Sequence, residues 1–546
     1  MKITILSGGS GNEAIMKGIM ALYPECDIKV ITNAYDNGKS TGVCRYVTDT
    51  LGVSDIRKNH FRMYKIKHTP KQEFINFWEN RYDLPKGKEK ESVISMLSKW
   101  NLNDNIIVEA VNEFFANPKS QEFEYKSFNI ANIVYSAMYK KLGYEETNKY
   151  FCNLLEIDDF VLLNSFDNVF ISAKTEDGKI IGDEGEIVEY KGLDKIREII
   201  FTGDVKREPN WRAIDRILES DLIIHSTGTF WSSIYPTMAY ADLYKVVNVS
   251  KARKLWVMNT AEDKDAYGVT SENFINYYKE LGLKIEDWCI IQNSEACEGL
   301  KSYKEAITLA LGNENGKNNP QLVGEAIFRC YYNLFGKYDK VILDFDDTIV
   351  DRDYAYREAS CSNLEYLKNN EYIVISGNSF ESIKRNIERS GYRVNELKTE
   401  IWADVNSILY VNGEKVRTIK CNIIKNLDKA INIVLKYVPS IYSVTETNIK
   451  LKPIQDRDSL MKKLNSAFRH EELMVKAIKA GRTTIDIITS SNEKSIVYYE
   501  ESLSKLRTLY IGDEVFWGND SSIANMCTQA IQVDNPRETN IILGLL

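Results

Sequence analysis

The feature that most constrains this chain is a repeated pattern: a short, largely β-branched run that ends in a loop of glycine and small polar residues. Ile3-Thr4-Ile5-Leu6 leads into Ser7-Gly8-Gly9-Ser10-Gly11-Asn12, and Val30-Ile31-Thr32 leads into a second Gly/Ser loop. Val161-Leu162-Leu163, Leu222-Ile223-Ile224 and Leu255-Trp256-Val257 have the same form. Short continuous apolar runs suit strands buried on both faces of a parallel sheet, and amphipathic stretches separate them. The pattern predicts an α/β fold whose polar loops leave the strand ends, where open α/β sheets bind ligands. From about Phe61 to Phe128 the chain is aromatic and charged with no clear strand, which predicts a helical insertion.

A chain of 546 residues exceeds one hydrophobic core. The Gly/Asn-rich break at 312–320, a helical pattern from Gln321 to about Phe335 and a new strand at Lys340-Val341-Ile342-Leu343 divide it near Gly336. The expected domains are 1–335 and 336–546. With 44% hydrophobic and 27% charged residues the composition is globular. No apolar run approaches the ~20 residues of a membrane span. The N-terminus reads as a buried first strand, not as a signal peptide. Nine scattered cysteines without a Cys-x-x-Cys pair, and only four histidines, argue against a disulfide framework and a zinc site. A net charge of -8 gives no electrostatic basis for nucleic-acid binding. The expectation is a cytoplasmic protein with neither a membrane nor a nucleic-acid partner; a homodimer is left open.

Chemistry is densest after Gly336. The run Val341-Ile342-Leu343-Asp344-Phe345-Asp346-Asp347-Thr348 ends a strand in two carboxylates two residues apart, so Asp344 and Asp346 share a side as the chain leaves the sheet. Alone this could be a solvated turn. A second strand, Tyr372-Ile373-Val374-Ile375, ends in Ser376-Gly377-Asn378; Lys494 precedes a helix at 495–503; a third strand, Thr508-Leu509-Tyr510-Ile511, ends in Gly512-Asp513-Glu514 and runs on to Gly518-Asn519-Asp520. In these four segments the last 210 or so residues resemble the haloacid-dehalogenase (HAD) superfamily. The resemblance implies a Rossmann-like core, Asp344 as nucleophile, Asp346 as general acid/base, and Ser376 and Lys494 on the transferring phosphoryl group. It also implies Mg²⁺ on Asp344, Asp513 and the Asp346 backbone carbonyl, with Glu514 and Asp520 in support. An α+β cap over about 400–485 would resemble the Cof, sugar-phosphatase and phosphomannomutase branch, with Lys452, Arg457 and Arg482 as candidates to meet substrate.

The N-terminal loops form a second set. Gly8, Gly9 and Ser10 follow the first strand with neither a dinucleotide fingerprint nor a P-loop spacing. Asn33 to Arg45 includes Asp36, Gly38 and Lys39; Ser54-Asp55-Ile56-Arg57-Lys58-Asn59 follows; Asn129-Ile130-Ala131-Asn132 opens a helix; His225-Ser226-Thr227-Gly228-Thr229 and Met258-Asn259-Thr260-Ala261-Glu262-Asp263 come late. Together they resemble the 2-phospho-L-lactate transferase (CofD) family and its nucleotide-sugar-binding relatives of the YvcK type, over about residues 1–310. The resemblance implies a Rossmann-like domain in which Gly8, Gly9, Ser10, Asp36, Lys39, Asp55, Arg57, Asn132, Gly228 and Thr229 line a nucleotide cleft, with Asp36 a metal ligand or catalytic carboxylate. The sequence departs from that pattern at Asn37, Lys39, Ser54, Lys58 and Thr227, so the usual substrate is not expected. His225 reads as structural. Trp211, Phe230 and Trp231 read as buried aromatics before base-stacking ones.

The combined expectation is a bifunctional enzyme: a CofD-like transferase acting on a nucleotide-activated phosphorylated donor, fused to a Mg²⁺-dependent phosphatase of a small phosphorylated metabolite. The alternatives are a nucleotide-sugar-sensing domain that regulates the phosphatase, and a phosphosugar mutase.

Overall fold

The computed structural model describes residues 1–8, 11–192, 194–259, 265–266, 269–293, 306–309, 318–353, 355–452, 456–480, 484–516 and 520–546. Gly9, Ser10, Thr260 to Asp263, Arg482, Gly518 and Asn519 lie outside them. The chain forms two compact units, Met1–Tyr331 and Tyr332–Leu546, both mixed α/β.

Among the described residues the first unit has ten strands: β1 (Lys2–Leu6), β2 (Asp27–Thr32), β3 (Val161–Leu163), β4 (Val169–Thr175), β5 (Ile180–Ile181), β6 (Ile196–Gly203), β7 (Leu222–His225), β8 (Arg253–Val257), β9 (Cys289–Asn293) and β10 (Ala306–Leu309). Seven pair in parallel in the order β10-β9-β8-β7-β1-β2-β3. β4, β5 and β6 form a small antiparallel sheet. Ile3, Ile5, Val30, Ile31, Ile223 and Ile224 are fully buried, as continuous apolar strands of a covered parallel sheet must be. The chain runs outward from β1 through β2 to β3, then returns to β7 on the other side of β1. That reversal opens a crevice at the carboxyl ends of β1 and β7. Between β2 and β3 the described elements are helical, among them Ser54–Lys67, Gln72–Trp78, Glu89–Lys99, Asn105–Ala116 and Ile130–Leu142.

The helix Pro320–Tyr331 closes this unit by crossing the first helix, Glu13–Leu22, where two glycines meet. A Cβ on Gly18 would overlap the Pro320 carbonyl, and one on Gly324 would sit 2.6 Å from the Gly18 carbonyl oxygen. Only hydrogens separate the two backbones there.

The second unit is built on β11 (Lys340–Asp344), β12 (Ile373–Ile375), β13 (Glu400–Ala403), β14 (Ile408–Val411), β15 (Glu414–Thr418), β16 (Ser443–Val444), β17 (Ile449–Leu451), β18 (Val475–Ala480), β19 (Thr484–Thr489), β20 (Thr508–Gly512) and β21 (Gln529–Gln532). Its main sheet has the order β15-β14-β13-β12-β11-β20-β21, parallel from β13 to β21 and antiparallel at the β13–β14–β15 edge. A separate antiparallel sheet, β16-β17-β19-β18, is backed by the helices Leu427–Val434 and Arg457–His470 around Ile449, Leu451, Leu464, Phe468, Ile485 and Ile487. The expectation of a cap from about residue 400 needs correction: residues 400–418 extend the main sheet, and the inserted sheet begins at Ser443. Alternating hydrophobicity marks a half-covered strand in either sheet and does not encode its pairing partner.

Candidate functional site

In the second unit β11 and β20 lie side by side, so the residues ending them converge. The carboxylates of Asp344, Asp513 and Asp520 offer oxygens all within 4.8 Å of one another. Lys494 is buried among them: its Nζ lies 2.7 Å from Asp344 Oδ1 and donates also to Asp520 Oδ1. Three carboxylates thus face one ammonium. Burial first, then repulsion from Asp520 and Asp513, raises the Asp344 pKa well above the usual carboxylate range despite Lys494. Asp513 is pushed up to about 6 by burial, Asp520 and Glu514. Burial would lower the Lys494 pKa, but Asp344 and Asp520 outweigh it and raise it. Surplus negative charge on clustered hard oxygen donors fits a divalent cation such as Mg²⁺. Glu514 is solvent-exposed, and neither its carboxylate nor that of Asp346 belongs to the cluster.

Asp346 sits beside this group, 8% exposed, and accepts from Asn378 Nδ2 at 2.5 Å. Arg352, which sequence reasoning missed, reaches back across the turn to place Nε 3.5 Å from Asp346 and 3.4 Å from Asp347. Its signal was only a lone arginine six residues after Asp346. Burial raises the Asp346 pKa and Arg352 opposes the rise. Ser376 is fully buried, its Oγ accepting the Asn378 N–H at 3.1 Å. The Ser376–Asn378 loop is braced by three successive left-handed residues, Asp404, Val405 and Asn406 (φ 53°, 57° and 60°). Asp404 N–H donates to the Asn378 carbonyl at 2.8 Å and Asn406 N–H to the Ser376 carbonyl at 3.3 Å. Left-handed backbone is unfavourable for non-glycine residues, Val405 above all, and these bonds hold it.

Two glycines of this site differ in kind. An ideal Cβ on Gly512 would fall well inside 3.0 Å of Asp520 Oδ2 and 2.9 Å from Tyr510 Cε1, whereas one on Gly377 would meet nothing within 4 Å. Of the cap candidates, Lys452 lies over the Tyr442 ring (4.7 Å) and Arg457 donates to the Thr484 carbonyl.

In the first unit the loops after β1 and β7 close on each other. A Cβ on Gly11 would overlap the Thr227 carbonyl, and one on Gly8 would sit 2.5 Å from Ser233 Cβ and 3.6 Å from Asp55 Oδ2. Asn59 Nδ2 donates to the Gly8 carbonyl at 3.5 Å, and Gly228 exchanges two 2.9 Å hydrogen bonds with the Asn259 side chain. Thr229 Oγ1 pairs with Ser233 Oγ at 2.9 Å. Asp36 accepts from Gly38 N–H (2.9 Å) and Thr41 Oγ1 (3.2 Å), so part of its capacity orders the next helix. Arg57 and Asn132 are bound to each other, and Arg57 also donates to the Trp78 carbonyl; burial lowers the Arg57 pKa to about 10. Lys39 is exposed, 3.8 Å from Glu189.

Glu184, which sequence reasoning missed, packs over Gly38 beside Asp36 and Asp55. Burial first, then those two carboxylates, pushes its pKa up to about 9. No local signal marked it, because the turn after β5 brings it in from 148 positions beyond Asp36 in the chain. Phe230 and Trp231 are buried in the core and Trp211 is 70% exposed. His225 is buried against Tyr278 Oη at 2.7 Å.

The gluconeogenesis factor of Bacillus subtilis (strain 168) is 22% identical over 307 residues, 56% of this chain and 82% of that protein. Among solved structures, protein BH3568 from Bacillus halodurans aligns with a TM-score of 0.45 and 17% identity, over 60% of this chain and 98% of its own. N-terminally truncated IMP-nucleotidase from Plasmodium falciparum aligns with a TM-score of 0.30 and 15% identity, over 42% of this chain and 74% of its own. Residues 3–318, more than half of the sequence, match the family model described as 2-phospho-L-lactate transferase CofD, and the chain belongs to the CofD family.

Proposed function

We propose that the second unit is a Mg²⁺-dependent phosphatase that works through an aspartyl-phosphate, joined to a CofD-type unit that binds a nucleotide or nucleotide sugar and transfers a phosphorylated group from it. The observation that carries the phosphatase reading is Lys494 bound to both Asp344 and Asp520 inside a buried carboxylate trio. Asp344, Asp513 and Asp520 would hold the metal, which when bound neutralises charge on the phosphoryl group and its nucleophile.

The remaining chemistry falls to the chain's own residues. Asp344 Oδ attacks phosphorus as the ester P–O bond breaks, forming an acyl phosphate. Asp346 gives its proton to the departing alkoxide oxygen. It then takes a proton from water, whose oxygen attacks phosphorus, breaks the acyl-phosphate bond and releases phosphate. Lys494 lowers the repulsion between an anionic nucleophile and an anionic ester, and Ser376 positions the phosphoryl oxygens. Arg352, against Asp346, holds the proton-transfer group in place.

For the first unit, the crevice between β1 and β7 would hold the phosphates, with Gly8, Gly228 and Thr229 at its floor and Asp36, Asp55 and Glu184 on one wall. We place the protein in the cytoplasm, in keeping with the free thiols of the eight cysteines among the described residues.

Phosphate release from a panel of phosphate monoesters tests the phosphatase reading. Release must depend on Mg²⁺ and disappear in Asp344→Asn; release that survives that substitution removes the nucleophile. Nucleotide release from activated donors, measured beside a binding titration, tests the transferase reading, and binding without release would make the first unit a sensor.

A further inference from the structure

The inner face of the cap sheet carries buried polar groups that the phosphoryl chemistry does not use. Ile449, Leu451, Ile485 and Ile487 enter the cap core, so strand alternation turns Lys450 and Asp486 to the opposite face. That face is not open to solvent: Asp486 is 2% exposed and the Lys450 side chain 13%. The two are register partners in the β17–β19 pairing. Lys450 Nζ lies 3.7 Å from Asp486 Oδ1, too far for a hydrogen bond, and that oxygen has no hydrogen-bond partner. Asn448, also buried, leaves its own Oδ1 without a partner. Two buried acceptors and one ammonium therefore share a small patch, an arrangement that disfavours folding unless something supplies donors.

The patch is tied to the catalytic carboxylates by a short run of contacts. Thr447 Oγ1 donates to the Asp404 carbonyl at 3.3 Å, Asp404 N–H donates to the Asn378 carbonyl, and Asn378 Nδ2 donates to Asp346. The Lys450 charge acts on both Asp346 and Asp404, favouring their ionised forms.

We propose that Asn448, Lys450 and Asp486 form the pocket for the leaving-group alcohol of the phosphate ester, and that they select an alcohol bearing free hydroxyls over one bearing a second anionic group. This rests on the phosphatase reading. A hydroxyl donates to Asp486 Oδ1 or Asn448 Oδ1 and accepts from Lys450. A second phosphate or a carboxylate brings no hydroxyl donor, and it meets Asp404 and Asp486 while Lys450 already faces Asp486.

The test compares kcat/KM of the full chain for a hexose monophosphate, a hexose bisphosphate and p-nitrophenyl phosphate, in the native protein and in Asp486→Asn and Lys450→Met. The native protein is expected to prefer the monophosphate to the bisphosphate. In each variant the ratio of kcat/KM for the hexose monophosphate to that for p-nitrophenyl phosphate should fall by about tenfold or more, through KM, since the site's buried polar groups discriminate for hydroxyls. An unchanged ratio, as an ion pair that only braces the cap or a water that fills the patch would give, overturns the assignment; so does a preference for the bisphosphate. If Asp486→Asn fails to fold by thermal melting, Lys450→Met and the native substrate comparison decide. Hydrolysis of p-nitrophenyl phosphate with no change of ratio sinks the pocket alone. No hydrolysis of any ester sinks the phosphatase reading and the pocket with it.

Discussion

Gly512→Ala offers a sharp test of the second unit's site, because the added methyl has nowhere to go. It would press on Asp520, which is fully buried, and on Tyr510, likewise buried, so the carboxylate must move or the strand must bend. Relief requires a shift of roughly 1 Å, and misplacement of that size in a catalytic constellation costs on the order of 10²-fold in rate. Overpacking of this kind also costs about 1–3 kcal/mol of stability. In a unit of this size each kcal/mol lowers the melting temperature by about 2–4 °C. The assay pairs thermal unfolding with phosphate release, using Gly377→Ala as the matched control. Gly377 adjoins Ser376 in the same site, but its new Cβ would meet nothing, so its melting temperature should stay at the native value. Native-like melting and native-like turnover in Gly512→Ala would show that Asp520 is not held as described. Equal damage from both alanines would show that the loss is not steric.

Three further outcomes follow from the same geometry. Asp344→Asn should reduce phosphate release to background while circular dichroism and melting remain close to native, because asparagine keeps the volume and one acceptor beside Lys494. Burial holds His60 at about 4 and His225 at about 3. Both are neutral in the fold and protonate near pH 6.5 only in the unfolded chain, so their contribution is fully present above pH 6.5 and is lost as pH falls toward 4. The loss is about 1.4 kcal/mol per pH unit per histidine, and a urea midpoint of the first unit that is flat between pH 7 and pH 4.5 would contradict it. Gly11→Ala should abolish nucleotide binding at the β1–β7 crevice by forcing the two loops apart, measured by titration; unchanged affinity would place the ligand elsewhere.

The strand list and the α/β class were legible because apolar runs such as Ile3–Leu6 and Leu222–Ile224 are buried on both sides, a condition that local composition records. Asp344, Ser376, Lys494 and Asp513 were legible as candidates because each ends or follows a strand, and the parallel pairing of β11 with β20 brings two of those ends together. Arg352 and Glu184 were not, since an arginine in a turn or a glutamate opening a short helix looks like any solvated residue until folding buries it. The start of the separate antiparallel sheet was not legible for a related reason: Ile408–Val411 alternates as a strand of either sheet would, but it pairs with β13. Lys452 stood out in sequence beside Pro453, whereas Lys450, two residues earlier, is the one paired across the sheet with a buried carboxylate.

The back-to-back contact of Gly18 with Gly324 bears on how this chain can be taken apart. Residues 320–331 lie beyond the family match, yet they supply Val323, Ile327 and Phe328, which are wholly buried in the first unit. An excised N-terminal piece that stops at residue 318 would leave the strip of Ile15, Met16 and Ile19 without the helix that crosses it. Such a piece would be prone to aggregate, and its failure to bind nucleotide would say nothing about the intact unit. Any division intended to separate the two units belongs at residue 331 or later.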